Sequence, residues 1–290
     1  MHILSRPAGV LCFALLTAAC DVKVGEHGIS LDVARGKAGD EWKRTYSLAP
    51  GGRLEIININ GAIQASPATG TQVEVVAIRE VKASSDELAQ ELLAKAEMVE
   101  EVASGRVKVQ LKVAAETGGP GLRSRNPVSI QYRVRLPPGL NVSFRTENGA
   151  VRVENVQGQL TVASTNGPVV GRGLSGSVDA TTVNGGIEIG LTAVTADSRI
   201  VTVNGPATLV LSPDINADLD AGVVNGGVFV EDGLVLTATE RSIRRVTGRV
   251  NAGGPKIVVQ TTNGGVRVGT PDGIARGRGP GRRGRGPAGG

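Results

Sequence analysis

Between about Asn141 and Thr270 the dipeptide Asn-Gly recurs at Asn148, Asn166, Asn184, Asn204, Asn225 and Asn263, at intervals of 18, 18, 20, 21 and 38 residues. A nearly fixed period of this size marks a stacked repeat, because each unit is too thin to bury a core by itself. Past most of the glycines an apolar residue stands at the second and fourth positions: Val151 and Val153, Val169, Ile187 and Ile189, Val228 and Val230, Val266 and Val268. Leu209 and Leu211 come two residues later, and polar Arg152, Glu188 and Arg267 lie between inward positions, as in a strand with one buried face. Six and four residues before each Asn a second arm repeats the rule, with Leu160 and Val162, Val178 and Ala180, Ser198 and Ile200, Leu219 and Ala221, Ile257 and Val259.

Two architectures fit this pattern. Asn-Gly in tight type I′ turns makes an antiparallel β-meander. One coil for each pair of arms makes a parallel β-solenoid. The solenoid is preferred, because the match is between residues a whole repeat apart and not only between neighbouring strands. The last interval then reads as two repeats with one Asn-Gly lost, and Val246–Val250 as an arm of that degenerate coil. The Asn-Gly steps read first as turn-makers, since both residues tolerate left-handed backbone, and second as a ladder of exposed amides.

With 42 Gly among 290 residues and only 2% Phe, Trp and Tyr, the core must be built from Val, Ile, Leu and Ala, which suits thin solenoid layers. The formal charge of +5 equals the contribution of Arg276, Arg278, Arg282, Arg283 and Arg285, leaving the rest of the chain neutral. Past Pro271 the steps Arg-Gly, Gly-Arg and Gly-Pro predict a disordered tail able to meet anions by charge alone, glycan or lipid headgroups before nucleic acid in an exported protein. The only cysteines are Cys12 and Cys20 and the only histidines His2 and His27. A histidine-rich zinc site and a Ser-His-Asp or Cys-His nucleophile system are therefore out of reach within one chain. No phosphate loop follows the Gly-Gly steps, and no cofactor or metal is expected.

The N-terminus is basic to Arg6 and apolar from Pro7 to Leu16, and it ends Leu16-Thr17-Ala18-Ala19-Cys20, a secretory signal resembling the lipobox of bacterial lipoproteins. That resemblance makes Cys20 the lipidated first residue of the mature chain, anchored in a membrane by its acyl groups. Simple secretion is the alternative. Residues 20–43 read as lipidated start and tether, ended by Trp42 as a packing residue. Residues 44–140 read as an N-terminal β layer that already contains one Asn-Gly, at Asn60-Gly61. It includes a helix over 85–102, opened by a capping box of Ser84 and Glu87, with Leu88, Leu92, Val99 and Val102 on one face. Residues 141–270 form the repeat domain and 271–290 the tail. The fold class expected is all-β: solenoid repeats of about 18–21 residues, an N-terminal strand layer and one packed helix.

The lipoprotein-like start, the Pro137-Pro138-Gly139 turn, the passage Arg145-Thr146-Glu147-Asn148-Gly149 and the successive Asn-Gly half-strands together resemble the DUF4097 adhesin-like family of bacterial β-repeat proteins, over residues 45 to 270. The resemblance implies a bacterial cell-envelope or surface setting. It supplies no catalytic residue, so none is carried over, and a non-enzymatic protein is expected.

Outward positions of a solenoid offer one long face to a partner. Arg152, Thr161, Glu188, Thr208 and Arg267 are candidate contacts of mixed charge and hydroxyl character. Phe229 joins them because its neighbours Val228 and Val230 take the inward parity. Such a face suits an adhesin-like protein holding a surface polysaccharide or another envelope component. The alternative is an envelope scaffold or sensor that binds a protein. A third reading, a polysaccharide-acting enzyme using two of Asp214, Asp218, Asp220, Glu231 and Asp232, lacks aromatic surface on which sugar rings could stack.

Overall fold

The computed structural model describes residues 21–25, 28–32, 36–113 and 127–277. The signal segment, Cys20 and the arginines from Arg278 onward lie outside the described residues, as do residues 114–126. The fold is a parallel β-solenoid and not a meander. Seven coils, each named here by its asparagine, stack in the spatial order Asn60, Asn148, Asn166, Asn184, Asn204, Asn263, Asn225. Arms preceding the asparagines form one parallel sheet, with Val142 beside Leu160, Leu160 beside Val178, and Ile200 beside Val259. Arms following the glycines form the opposite sheet, with Val151 beside Val169, Val169 beside Ile187, and Ile187 beside Ala207.

Inward residues of both sheets make one narrow core. Leu160, Val162, Val178, Ala180, Ile187, Ile189, Ile200, Leu209, Leu211, Val259 and Val268 are all buried. Leu209 and Leu211 come late in sequence because Ala207 fills the place of Ile187, which puts Leu209 beside Ile189 and Leu211 beside Leu191. Fully burying an aliphatic side chain is worth about 1.5–3 kcal/mol. A coil with a few such residues gains this only when neighbours close both of its sides.

The corners of the coils run on two further ladders. Each asparagine Nδ2 donates to Oδ1 of the asparagine before it in the stack, from Asn148 on Asn60 to Asn225 on Asn263, six bonds of 2.8–2.9 Å. Two residues earlier, Thr146, Ser164, Thr182, Thr202 and Thr261 donate their hydroxyls to the carbonyl oxygen of the preceding coil's glycine. Asn58 plays the same part for the first coil, toward Gly61 and Ile130. All six are buried. Within these steps the left-handed backbone expected of both residues falls to glycine alone, as at Gly61 (φ 112°) and Gly226 (φ 144°); among the described non-glycine residues only Asn155 and Asn251 are at positive φ. Glycine is required mainly by approach. A Cβ on Gly167 would stand 2.1 Å from the Gly149 carbonyl oxygen of the coil beneath.

The sequence expectation about the last interval is corrected. The chain leaves the Asn204 coil, lays the Asn225 coil one place further out, and then inserts the Asn263 coil between them. Arg245–Val250 is no arm of a degenerate coil. It pairs antiparallel with both Ala217–Asn225 and Leu236–Arg241, so that the hairpin it forms with the latter closes the end of the first sheet. The 38 residues are thus the path of a hairpin and a return.

At the other end the stack begins at Arg53 and not at Asn141, because Arg53–Asn60 pairs directly with Asn141–Asn148. Arg106–Val113 continues the first sheet parallel to Arg53–Asn60, and Ala96–Ala103 closes it antiparallel. Val128–Leu136, Val73–Ala83 and Gly36–Tyr46 continue the second sheet in that order. Gly36–Tyr46 is therefore structured sheet where a tether was expected, and Asp21–Gly25 with Gly28–Asp32 form an antiparallel pair before it. Trp42 packs within this strand, with the Arg44 guanidinium 5.0 Å from its ring centre. The expected helix over 85–102 is shorter: it spans Asp86–Ala94, capped by Ser85 in place of Ser84. Its second half is the strand Ala96–Ala103, turned at Ser104-Gly105 and matched in charge across the pair, with Lys108 3.1 Å from Glu101. The tail begins later than expected, since Pro271–Gly277 is helical.

Candidate binding face

Parallel stacking turns every outward position into a row that crosses the strands about every 4.8 Å. One such row on the second sheet reads Lys43, Val76, Arg133, Gln64, Arg152, Val170, Glu188, Thr208, Arg267, Phe229. Its ten strands span about 43 Å at that spacing. Arg152, Glu188, Thr208, Arg267 and Phe229, five of the six contact positions expected from sequence, fall in this row. Thr161 does not. It lies on the outer face of the first sheet between Ser143 and Asp179.

Charge along the row is unevenly engaged. Glu188 is bridged by Arg172 at 3.0 Å and Arg267 by Glu231 at 3.1 Å, so the outer half is largely paired. At the inner half the surface sinks into a groove of about 630 Å³ lined by Glu41, Lys43, Glu74, Arg133, Arg135 and Arg152, among others. Among the described residues no ion pair engages the three arginines there. Lys43, Arg133 and Arg152 stand on alternate strands, one positive charge about every 10 Å. Sequence reasoning missed Lys43, Gln64, Arg133 and Arg135. The signal was present for two of them, since inward Ile130, Tyr132, Val134 and Leu136 force Arg133 and Arg135 outward.

At the far end Phe229 is 57% exposed, and exposed Ile243 lies next to its strand, with the Val228 amide donating to the Ile243 carbonyl. Arg276, the first of the tail arginines, lies in the terminal helix and lines a smaller depression with Asp232 and Asp272. Two of the five acidic residues late in the array are engaged in ion pairs: Asp220 is bridged by Arg245 and Lys256, both at 3.2 Å, and Glu231 by Arg267 at 3.1 Å. Among the described residues no group of three His, Cys, Asp or Glu is placed to hold a metal ion. No described helix is long and apolar enough to cross a membrane.

Three solved structures align along most of their own length. A candidate cell adhesion protein from Clostridium sporogenes is 11% identical, covering 80% of this chain and 100% of its own, with a TM-score of 0.44. A candidate adhesin from Bacteroides fragilis is 10% identical, covering 80% and 97%, with a TM-score of 0.29. A candidate lipid binding protein from Parabacteroides distasonis is 8% identical, with the same coverage and a TM-score of 0.25. No protein of curated function matches the sequence. The profile of the Toastrack DUF4097 family matches residues 54–269, from the first arm of the Asn60 coil to the last strand of the Asn263 coil. By that match, which takes in all seven coils, the chain belongs to the Toastrack DUF4097 family.

Proposed function

We propose that this chain is a non-enzymatic protein of the bacterial cell envelope that holds an extended polar polymer, a surface polysaccharide, along the row from Lys43 to Phe229. The carrying observation is the alignment itself: hydrogen-bonding and charged side chains repeat at strand spacing along one face, which suits a ligand that also repeats. The open groove with Arg133, Arg135 and Arg152 is where such a polymer gains most, because among the described residues no ion pair has to be broken to reach these guanidiniums, although Glu41, Glu74 and Glu154 share the groove. In this reading Cys20 carries the lipid that fixes the protein to a membrane, and the arginines from Arg276 to Arg285 add nonspecific attraction to anionic surfaces.

The test is binding of the full chain to an array of bacterial surface polysaccharides, followed by substitution. Arg152→Ala and Arg133→Ala should each weaken binding about tenfold, the scale of one hydrogen bond to a charged group. Thr161→Ala, on the opposite face, should leave it unchanged. Equal loss from all three, or loss from Thr161→Ala alone, contradicts the reading. A scaffold that engages an envelope protein is the second reading, and exposed Phe229, with exposed Ile243 next to its strand, favours it. Recovery of one envelope protein by the wild type but not by Phe229→Ser would support that alternative.

A further inference from the structure

Seven Asn-Gly steps share one sequence and one strand geometry, yet the stack does not treat them alike. In six of them the glycine amide N–H donates to the asparagine carbonyl of the next coil outward, at 2.8–3.0 Å, from Gly61 on Asn148 to Gly264 on Asn225. The Asn225 coil is the last, and the Gly226 amide has no acceptor among the described residues. The side-chain ladder ends there as well. The asparagines of the other six steps each have their Oδ1 engaged by a neighbour's amide, whereas Asn225 donates to Asn263 and accepts from none among the described residues. Both residues are exposed.

We propose that Asn225-Gly226 is the site at which this protein deamidates, and that the other six steps are protected by the stack. The chemistry needs only water. The Gly226 nitrogen loses its proton to solvent and attacks Asn225 Cγ. A C–N bond closes a five-membered imide, and the side-chain nitrogen takes up a proton and leaves as ammonia. Water then opens the imide at either carbonyl, giving aspartate or isoaspartate. In the six inner steps the attacking nitrogen is tied up in a hydrogen bond and the side chain is held at both ends. At Asn225 neither restraint is complete. The product also acts on the stack: a carboxylate cannot donate to Asn263, and isoaspartate adds a main-chain carbon where Gly226 already packs against the Gly264 carbonyl oxygen.

Full-length protein is incubated in mildly alkaline buffer, and each asparagine is followed by peptide mapping and isoaspartate labelling, in parallel with the same protein in concentrated urea. Asn225 should react at least about tenfold faster than any other Asn-Gly in the folded protein, the factor expected from two missing hydrogen bonds. In urea the seven should converge, and Asn225→Gln should abolish the folded-state reaction without moving it elsewhere. Uniform reaction in the folded protein, faster reaction at an inner step, or a preference for Asn225 that persists in urea would overturn the proposal.

Discussion

At the residue scale the repeat is maintained by three neighbouring positions with different duties. The buried hydroxyl satisfies the glycine carbonyl of the coil beneath, the asparagine continues the amide ladder, and the glycine lets two coils touch. Each duty fails in its own way. Thr182 is fully buried and donates to the Gly167 carbonyl at 3.0 Å, so Thr182→Val should destabilise by about 1–3 kcal/mol through an unsatisfied buried acceptor. Gly167→Ala forces a methyl into the Gly149 carbonyl and should destabilise by about 3 kcal/mol or more. Urea unfolding of both variants measures the order. The two tyrosines set an alkaline limit. Burial raises the phenols of Tyr46 and Tyr132 above their ordinary value of 10.0, helped at Tyr46 by its 2.7 Å hydrogen bond to Glu100. The native state therefore retains protons that the unfolded chain releases, and the stability they contribute is complete below pH 10.0 and falls as pH rises above it. Tyrosinate absorbance should appear together with unfolding, and a tyrosine that titrates near pH 10.0 in the folded protein would contradict this.

At the element scale, the rule of a polar donor two residues before the asparagine breaks at one coil and so predicts a gain. Val223 stands where the inner coils have Thr or Ser, next to Gly226 in the terminal coil. Val223→Thr should donate to the Gly264 carbonyl as Thr261 does to Gly205, stabilising by about 0.5–1.5 kcal/mol in thermal or urea unfolding. The arms themselves were legible in sequence, because a period of two inside a period of about eighteen leaves little freedom for the inward residues. The reason for Asn-Gly was not, since its turn-making use and its ladder-making use read the same until coils are stacked. Glu97 to Val102 was misread because a few apolar residues spaced for a helix also fit a half-buried strand. Charge settles the matter only when Lys108 and Lys112 are known to lie opposite Glu101 and Glu97. The candidate face was half legible. Outward parity identified Arg152, Glu188, Thr208, Arg267 and Phe229, but the neighbourhood of Lys43, Gln64 and Arg133 depends on pairings between strands far apart in the chain.

At the scale of the whole molecule, coil order and chain order part company, and the proposed binding face depends on the difference. Inserting the Asn263 coil places Arg267 between Thr208 and Phe229 and makes the row continuous from groove to aromatic end. Had the chain simply wound on, Thr208 would neighbour Phe229 and Arg267 would lie outermost. Paired cysteines distinguish the two arrangements, because a disulfide forms only between close, facing Cβ atoms. In a background with Cys12→Ser and Cys20→Ser, Thr208→Cys with Arg267→Cys should crosslink on mild oxidation, and so should Arg267→Cys with Phe229→Cys. Thr208→Cys with Phe229→Cys, two strands apart, should remain reduced. A crosslink in that last pair, with none between positions 208 and 267, would contradict the inserted coil and the continuous face built on it.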